Sequence, residues 1–304
     1  MGLDIRLLGP FRVLHDNQDI TNEIRQIGKA DVILKLLLNQ PGQIVGIEDL
    51  IDALWNHHTD LKKAKGNLYK RISKLRKILE PSLKKFGQSR YILLKRPQGY
   101  YWNSKVECRI DFQEYLQHYE RARKLQNQGQ ISPAIDAYET ALRSAHDGEY
   151  LIEDRTEEWA IPVREKWQET HLDLLKQLAN CYVHSGQYRR AIECYRHVLR
   201  LEKFRESTHR QLMLYYYLAG DQAEAPRTYE QCVKMLKEEL ATDPTPEIKQ
   251  LYEQIRAGHV PEVDRPPPSS QAIEFPYALS PGSVPFVGRK HEYAQLMDAL
   301  QRAH

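Results

Sequence analysis

Residues 63–79 read KAKGNLYKRISKLRKIL and form the clearest amphipathic segment of this 304-residue chain. At about 100° of rotation per residue, one face of a helix would carry only apolar side chains: Ala64, Leu68, Ile72, Leu75 and Leu79. The opposite face would be polar and cationic: Lys63, Gly66, Asn67, Lys70, Ser73, Lys74 and Lys77, flanked by Tyr69, Arg71 and Arg76. Such a helix fits the major groove of B-form DNA. A solvated lysine-rich helix is the alternative at this point.

A second cationic element follows the amphipathic segment. Residues 91–102 read YILLKRPQGYYW, with aliphatic and aromatic runs on either side of a basic Pro/Gly turn. This pattern predicts a β-hairpin whose tip presents Lys95 and Arg96. The helix would occupy a groove while the tip reaches phosphates or the adjacent minor groove, so one duplex would engage both elements.

The residues before the amphipathic segment supply the remaining elements of a winged helix-turn-helix. Strand signals lie at Asp4–Leu8 and Phe11–Leu14, and Ile20 is a candidate start for a third strand. Helices are predicted over Lys29–Asn39 and Ile47–Trp55. Strands, three helices and a basic hairpin in this order predict an α+β winged helix-turn-helix domain within a mainly α protein.

The charge of the chain is unevenly distributed. Residues 61–105 contain fourteen Lys or Arg and a single acid, Glu80, and residues 1–106 carry a net charge of +9. Residues 107–304 carry −6, so the overall +3 combines two electrostatically different bodies. A concentrated basic surface indicates a polyanionic partner, most often nucleic acid. Together with the helix and the hairpin, this asymmetry favours double-stranded DNA as that partner.

The second half of the chain is repetitive. A pattern of four positions recurs after 34 residues: a glycine, a polar or aromatic residue, an alanine and a tyrosine. The first unit has Gly186, Tyr188, Ala191 and Tyr195, and the second has Gly220, Gln222, Ala225 and Tyr229. A related pattern lies upstream, at Gly129, Ile131, Ala134, Tyr138 and Ala141. This period is the tetratricopeptide pattern, in which small residues let paired helices approach each other. A helical solenoid of this kind binds polypeptides or packs on a neighbouring domain, and performs no chemistry.

Further helices are predicted around these repeats. One would run through Trp159 and Trp167, and two more, over Ala223–Leu240 and Pro246–Arg256, would close the array. The sequence therefore predicts a winged helix-turn-helix domain at 1–106 and a tetratricopeptide-like α-helical domain at 107–258.

Motifs for catalysis, metal binding and membrane insertion are missing from the sequence. The four cysteines form no CxxC pair, and we do not expect the His57-His58 pair to bind a metal. No G-x-x-x-x-G-K-[ST] loop occurs, so no cofactor is predicted and the chain is not expected to be an enzyme. No run reaches the roughly 18 apolar residues of a membrane span. We expect a cytoplasmic, nucleoid-associated protein.

The same stretches resemble the Streptomyces antibiotic regulatory protein family, also called AfsR-like regulators. In the first domain the similarity to the OmpR-type winged helix lies in residues 5–10 (IRLLGP), 50–55 (LIDALW), 68–79 (LYKRISKLRKIL) and 96–100 (RPQGY). In the second, the similarity to the bacterial transcriptional activation domain lies in residues 210–213 (RQLM), 219–225 (AGDQAEA), 238–240 (EEL) and 244–247 (PTPE). The resemblance covers about residues 3–257.

The resemblance carries implications for function. It implies an activator that binds direct repeats near a promoter and contacts RNA polymerase holoenzyme, including its sigma factor. Because one such domain reads few base pairs, we expect a homodimer on DNA, with two protomers on neighbouring repeats about one helical turn apart. Residues 259–304 would form a Pro-rich linker followed, at Phe286-Val287-Gly288-Arg289-Lys290, by the start of a truncated signal-transduction ATPase module. Asp31 departs from the family, which more often has a basic residue there, and that difference would weaken one phosphate contact.

Ten residues are predicted to contact DNA: Lys63, Asn67, Tyr69, Lys70, Arg71, Ser73, Lys74, Lys77, Lys95 and Arg96. Asn67, Lys70 and Lys74 are the candidates for base edges, while the other cations would mainly bind phosphate. The competing interpretation is a tetratricopeptide-type scaffold, whose basic patch binds an acidic protein or nucleic acid without sequence preference.

Overall fold

The computed structural model describes residues 2–55, 60–84, 87–145 and 148–259. The His57-His58 pair, the predicted linker from Val260 onward and the Phe286–Lys290 stretch lie outside the described residues. Within the described residues the chain forms eleven α-helices and seven strands, so the mainly α class with an α+β N-terminal part is confirmed.

The described residues form two compact units. The first contains residues 2–112 together with 148–164, and the second contains residues 113–145 and 165–259. The domain limits at 106 and 258 stay predictions.

Four short strands form the first sheet, in the order β3–β2–β1–β7: β1 (Leu3–Arg6), β2 (Arg12–His15), β3 (Gln18–Asp19) and β7 (Cys108–Ile110). β1 pairs antiparallel with β2 and parallel with β7, where Ile5 lies opposite Ile110. The sequence pattern did not predict β7, because its pairing spans about a hundred residues of chain. The third strand ends at Asp19, one residue before the predicted start, and Ile20 is buried.

Four helices follow in the first unit, where the sequence predicted three: α1 (Thr21–Arg25), α2 (Ala30–Asn39), α3 (Ile47–Leu54) and α4 (Leu61–Leu79). α1 was missed because five residues are too short for a helical period to emerge. α4 begins two residues earlier than predicted, since the carboxylate of Asp60 accepts the backbone N–H groups of Lys62 (2.9 Å) and Lys63 (3.4 Å) as an N-cap.

The predicted hairpin forms a second sheet with one additional strand. β5 (Ile92–Lys95) pairs antiparallel with β6 (Gly99–Trp102), and β6 pairs with β4 (Val45–Gly46). A Cβ atom on Gly99 would lie 2.0 Å from the carbonyl oxygen of Val45. Glycine is therefore required at the base of the wing, because β4 could not pair with β6 beside any side chain.

Seven helices make up the predicted helical array: α5 (Asp111–Asn127), α6 (Ile131–Ser144), α7 (Ile161–His184), α8 (Tyr188–Leu201), α9 (Glu206–Leu218), α10 (Glu224–Glu239) and α11 (Pro246–Arg256). The repeated glycines lie between paired helices with positive φ angles, for example Gly186 at 73° and Gly220 at 80°. Their partners Ala191 and Ala225 are fully buried, as the tetratricopeptide pattern requires. Trp167 lies in α7, but Trp159 precedes it, because the helix begins only at Ile161.

A segment between α6 and α7 packs within the first unit. The backbone N–H of Gly9 donates to the carbonyl of Glu149 (2.9 Å), and the N–H of Leu151 donates to the carbonyl of Leu7 (2.9 Å). A Cβ atom on Gly148 would lie 2.4 Å from the nitrogen of Gly9, so this close approach requires glycine. Tyr150 is completely buried, and its hydroxyl donates to Oδ1 of Asn39 in α2 (2.9 Å).

This segment also supplies the counterion for a buried lysine. Lys35 of α2 is 1% exposed, and its Nζ lies 2.8 Å from Oδ2 of Asp154, 3.3 Å from Oδ2 of Asp31 and 4.8 Å from the centre of the Phe11 ring. Burial raises the pKa of Asp154, whereas the hydrogen bond and charge of Lys35 act in the opposite direction. A buried ammonium without a partner costs several kcal/mol, so residues 148–154 are part of what stabilises the first unit.

Substitution of Asp154 with Ala should destabilise the first unit far more than the same substitution one residue earlier. Asp154→Ala leaves the buried Lys35 with Asp31 alone and should cost about 2–3 kcal/mol in the free energy of unfolding. Glu153→Ala removes the partner of Arg25 (2.5 Å), but both side chains are more than a third exposed, so about 0.5 kcal/mol is expected. Urea denaturation of the two variants measures the difference, and equal losses would contradict the role assigned to Asp154.

Candidate nucleic-acid interface

The exposed face of α4 carries most of the predicted contact residues. Its apolar stripe, Ala64, Leu68, Ile72, Leu75 and Leu79, is at most 1% exposed, and each of its larger side chains contributes about 2 kcal/mol by burial. Because that stripe faces the core, the opposite side chains point to solvent. Five cationic or hydroxyl residues are exposed there, namely Lys63, Lys70, Ser73, Lys74 and Lys77.

A depression of about 660 Å³ lies along this face of α4. Its lining comes from the helix itself and from the turn between α1 and α2: Ile27, Asn67, Tyr69, Lys70, Arg71, Ser73 and Lys74. Six of these seven residues belong to the predicted DNA-contact set. The structure thus gathers the predicted base-edge candidates Asn67, Lys70 and Lys74 around one concave, cationic surface.

Arg71 differs from the other predicted contacts because its side chain is folded against the protein. The guanidinium carbon lies 4.6 Å from the centre of the Trp55 ring, and burial lowers the pKa of Arg71. Its Nη1 atom is buried and has no hydrogen-bond partner among the described residues. A planar cation stacked on an aromatic ring is held in one orientation, so Arg71 would present its remaining N–H groups from a fixed position.

The wing tip places the other two predicted cations together. Lys95 ends β5 opposite Gly99, and both Lys95 and Arg96 are exposed. The first unit therefore carries two separate exposed cationic sets, one on α4 and one on the wing.

Arg76 connects these two sets, although the sequence pattern predicts no separate role for it. Its Nε donates to the carbonyl oxygen of Ile92 in β5 (3.1 Å), and its guanidinium carbon lies 5.5 Å from the centre of the Tyr100 ring in β6. Burial lowers the pKa of Arg76. The only sequence signal is its position on the flank of the helix, between the apolar stripe and the cationic face. Arg76 is a positioning residue, since it ties the wing to α4.

The side chain of Asp31 interacts with another residue of the first unit and does not face a ligand. Its carboxylate accepts a hydrogen bond from the buried Nζ of Lys35 at 3.3 Å, four residues along α2. The acid at this position thus belongs to the ion cluster of the first unit.

Two negative findings limit the chemistry of the described residues. They contain no group of three or more His, Cys, Asp or Glu side chains that could hold a metal ion. None of their helices combines the length and apolar character needed to cross a bilayer.

Two family models match the chain. Residues 22–102 match the model described as "Transcriptional regulatory protein, C terminal", and residues 110–256 match the "Bacterial transcriptional activator domain". The first covers the winged helix and its wing, including all ten predicted contact residues.

Similar proteins include two bacterial regulators. The regulatory protein AfsR of Streptomyces coelicolor is 26% identical over 300 residues, covering 98% of this chain but 29% of that protein. The transcriptional regulatory protein MoaR1 of Mycobacterium tuberculosis is 26% identical over 227 residues, covering 75% of this chain and 71% of that protein. The chain thus spans less than a third of AfsR.

A solved structure has the same fold. The structure of Mycobacterium tuberculosis EmbR in complex with a low-affinity phosphopeptide matches with a TM-score of 0.70 at 23% sequence identity. The match covers 84% of this chain and 65% of that one.

Removal of the Arg76 guanidinium should loosen the wing without removing an exposed cation. Arg76→Met keeps an apolar stem but loses the hydrogen bond to Ile92, so we expect a loss of about 1 kcal/mol in the free energy of unfolding. Amide hydrogen exchange in β5 and β6 should accelerate. Lys77→Met, an exposed change on the same helix with the same loss of charge, is the control, and equal exchange in both variants would refute the positioning role.

Proposed function

Because the chain belongs to the AfsR-like family of Streptomyces antibiotic regulatory proteins, we propose that it is a sequence-specific, DNA-binding activator of transcription. The family regulates transcription and is not enzymatic. The observation that carries the proposal is the pair of cationic sets on one winged helix, the exposed face of α4 and the tip of the wing tied to it by Arg76.

In this proposal α4 enters the major groove of double-stranded DNA. Asn67, Lys70 and Lys74 face base edges from the concave surface of the helix, because amide and ammonium groups donate to purine acceptors there. A lysine is a flexible point donor and discriminates less sharply than an arginine. Part of the specificity therefore comes from DNA shape and from the use of more than one site.

The remaining cations supply affinity rather than sequence discrimination. Lys63, Arg71 and Lys77 on α4, with Lys95 and Arg96 on the wing, neutralise phosphates and release counterions. Tyr69 and Ser73 complete the surface of the helix that faces the DNA. Arg71 contributes from a fixed direction because Trp55 holds its guanidinium plane.

One winged helix reads few base pairs, so we propose that two copies of the chain bind neighbouring direct repeats near a promoter. Repeats about one helical turn apart place both copies on the same side of the duplex. The helical array is proposed to mediate dimerisation and contact with RNA polymerase holoenzyme, including its sigma factor. The solenoid form of that array suits binding to another polypeptide.

The paired substitution Lys70→Ala with Lys74→Ala tests the groove contact. Loss of two base-edge donors should cost about 1–3 kcal/mol for each contact and abolish the preference for a selected duplex over its scrambled version. Competition binding measures that preference. Lys234→Ala with Lys237→Ala removes two exposed lysines from α10 and should leave it unchanged. Unaltered discrimination by the Lys70/Lys74 variant would reject the groove assignment.

The paired substitution Lys95→Ala with Arg96→Ala tests the wing. Two lost phosphate contacts should weaken binding to every duplex and reduce the steepness of log K against log salt by about two. Sequence preference should survive, in contrast to the groove variant. A titration from low to high salt measures the slope, and a slope identical to that of the unmodified chain would remove the wing from the interface.

Selection of bound duplexes from a random-sequence library, at near-physiological salt, separates the proposal from the scaffold alternative. A recurring motif, particularly a tandem one, supports a regulator that reads sequence. Retention of duplexes without any motif would leave only a cationic surface, and the tetratricopeptide-type scaffold would then account better for the chain.

A further inference from the structure

Two large apolar side chains are exposed between the cationic face of α4 and the wing tip. Tyr69 of α4 is 44% exposed, and Leu94 of β5 is 38% exposed. The Tyr69 ring lies 6.5 Å from the ring of Tyr100 in β6, and Leu94 is the cross-strand partner of Tyr100. Directly opposed residues of an antiparallel pair share one face of the sheet. Leu94 and Tyr69 therefore flank the same ring from the wing and from the helix.

The alternating direction of side chains along β5 shows why the exposure of Leu94 is unusual. Ile92 lies on the same face of the strand two residues earlier and is completely buried. Leu94 continues that apolar face to the end of the hairpin, where the core no longer covers it. Exposed apolar residues that occur singly need no explanation, but these two converge on one aromatic ring.

Cations border this apolar surface on both sides. Lys70 directly follows Tyr69 on the exposed part of α4. On the wing side the charge of Arg96 reaches Tyr100: burial raises the pKa of the Tyr100 hydroxyl, and Arg96 acts in the opposite direction. A surface that is apolar in the middle and cationic at both edges matches a strand of nucleic acid backbone, in which the C–H faces of sugars lie between charged phosphates. An apolar segment of another protein would leave these cations without counterions, so charge complementarity favours the nucleic acid.

We infer that Tyr69, Leu94 and Tyr100 form an apolar saddle that seats a deoxyribose of the DNA backbone between α4 and the wing. The inference rests on the proposed function, because it assigns a further contact to the same interface. The floor of the saddle is rigid, since Tyr100 is 5% exposed and lies against the guanidinium of Arg76 (5.5 Å). Leu94 and Tyr69 form its two walls.

The saddle contributes to affinity in a way that the cations do not. A phosphate contact releases a counterion, so its contribution falls as salt rises. Burial of apolar surface releases no ion, and its contribution is independent of salt in this range. Covering a few tens of square ångströms of apolar surface corresponds to about a fivefold change in the dissociation constant.

Salt titrations of the whole chain on one random-sequence duplex test the saddle. Leu94→Ala should raise the dissociation constant about fivefold at every salt concentration, with the slope unchanged. Lys95→Ala with Arg96→Ala should instead flatten the slope. Leu240→Ala, a matched change at a 46%-exposed leucine of the second unit, should alter neither quantity.

A charge introduced at the saddle gives an independent readout. Leu94→Lys should steepen the slope by about one, because a lysine beside the backbone gains a phosphate. Tyr69→Ser should weaken binding without a change of slope, as Leu94→Ala does. Urea denaturation of each variant establishes that the first unit remains folded.

The outcomes separate the saddle from the proposed function. If the unmodified chain binds with a steep salt slope but Leu94→Ala and Tyr69→Ser bind equally well, the saddle is refuted and the DNA-binding proposal stands. If the unmodified chain binds no duplex at any salt concentration, the proposed function fails, and the saddle fails with it. If Leu94→Ala loses binding to a protein partner while duplex binding is intact, the occupant is a polypeptide and the inference is wrong.

Discussion

Burial of the apolar stripe of α4 is the constraint on which the candidate interface depends. The stripe repeats at helical spacing and is almost completely removed from solvent, from Ala64 to Leu79. A helix that must bury one face has no freedom to rotate, so Lys70 and Lys74 are held on the outer side. The concave cationic surface along α4 therefore results from packing on the opposite face, and no specific interaction among the cations is required.

The wing adds a second cationic set because two contacts hold it in place. Arg76 donates to the backbone of β5 and lies over Tyr100 of β6. Gly99 allows β4 to pair at the base of the hairpin, where any side chain would collide with Val45. Arg76 thus uses its charged side chain to position the wing, and Gly99 allows the wing to pair because it has no side chain. Both roles serve the placement of residues that are themselves exposed.

The first unit extends beyond the residues that are contiguous in sequence with the winged helix. Residues 148–154 add backbone hydrogen bonds at Leu7 and Gly9, bury Tyr150, and bring Asp154 to the ammonium of Lys35. A lysine is rarely buried without a close partner of opposite charge, because desolvation of an unpaired ammonium is costly. Asp154, which lies within the matched activator domain, therefore supplies the counterion for a buried lysine of the winged helix. No local sequence pattern predicts this ion pair.

The long helices, the hairpin, the repeat period and the charge asymmetry could all be predicted from the sequence, because each follows from periodicity or composition over neighbouring residues. Helices α2, α3 and α4 begin within two residues of their predicted starts. Three features became visible only in the folded structure: the parallel pairing of β7 with β1, the Lys35–Asp154 ion pair, and the different orientations of Arg71 and Arg76. These features depend on contacts between residues distant in the chain, and helical spacing cannot distinguish a cation that faces solvent from one that packs on an aromatic ring.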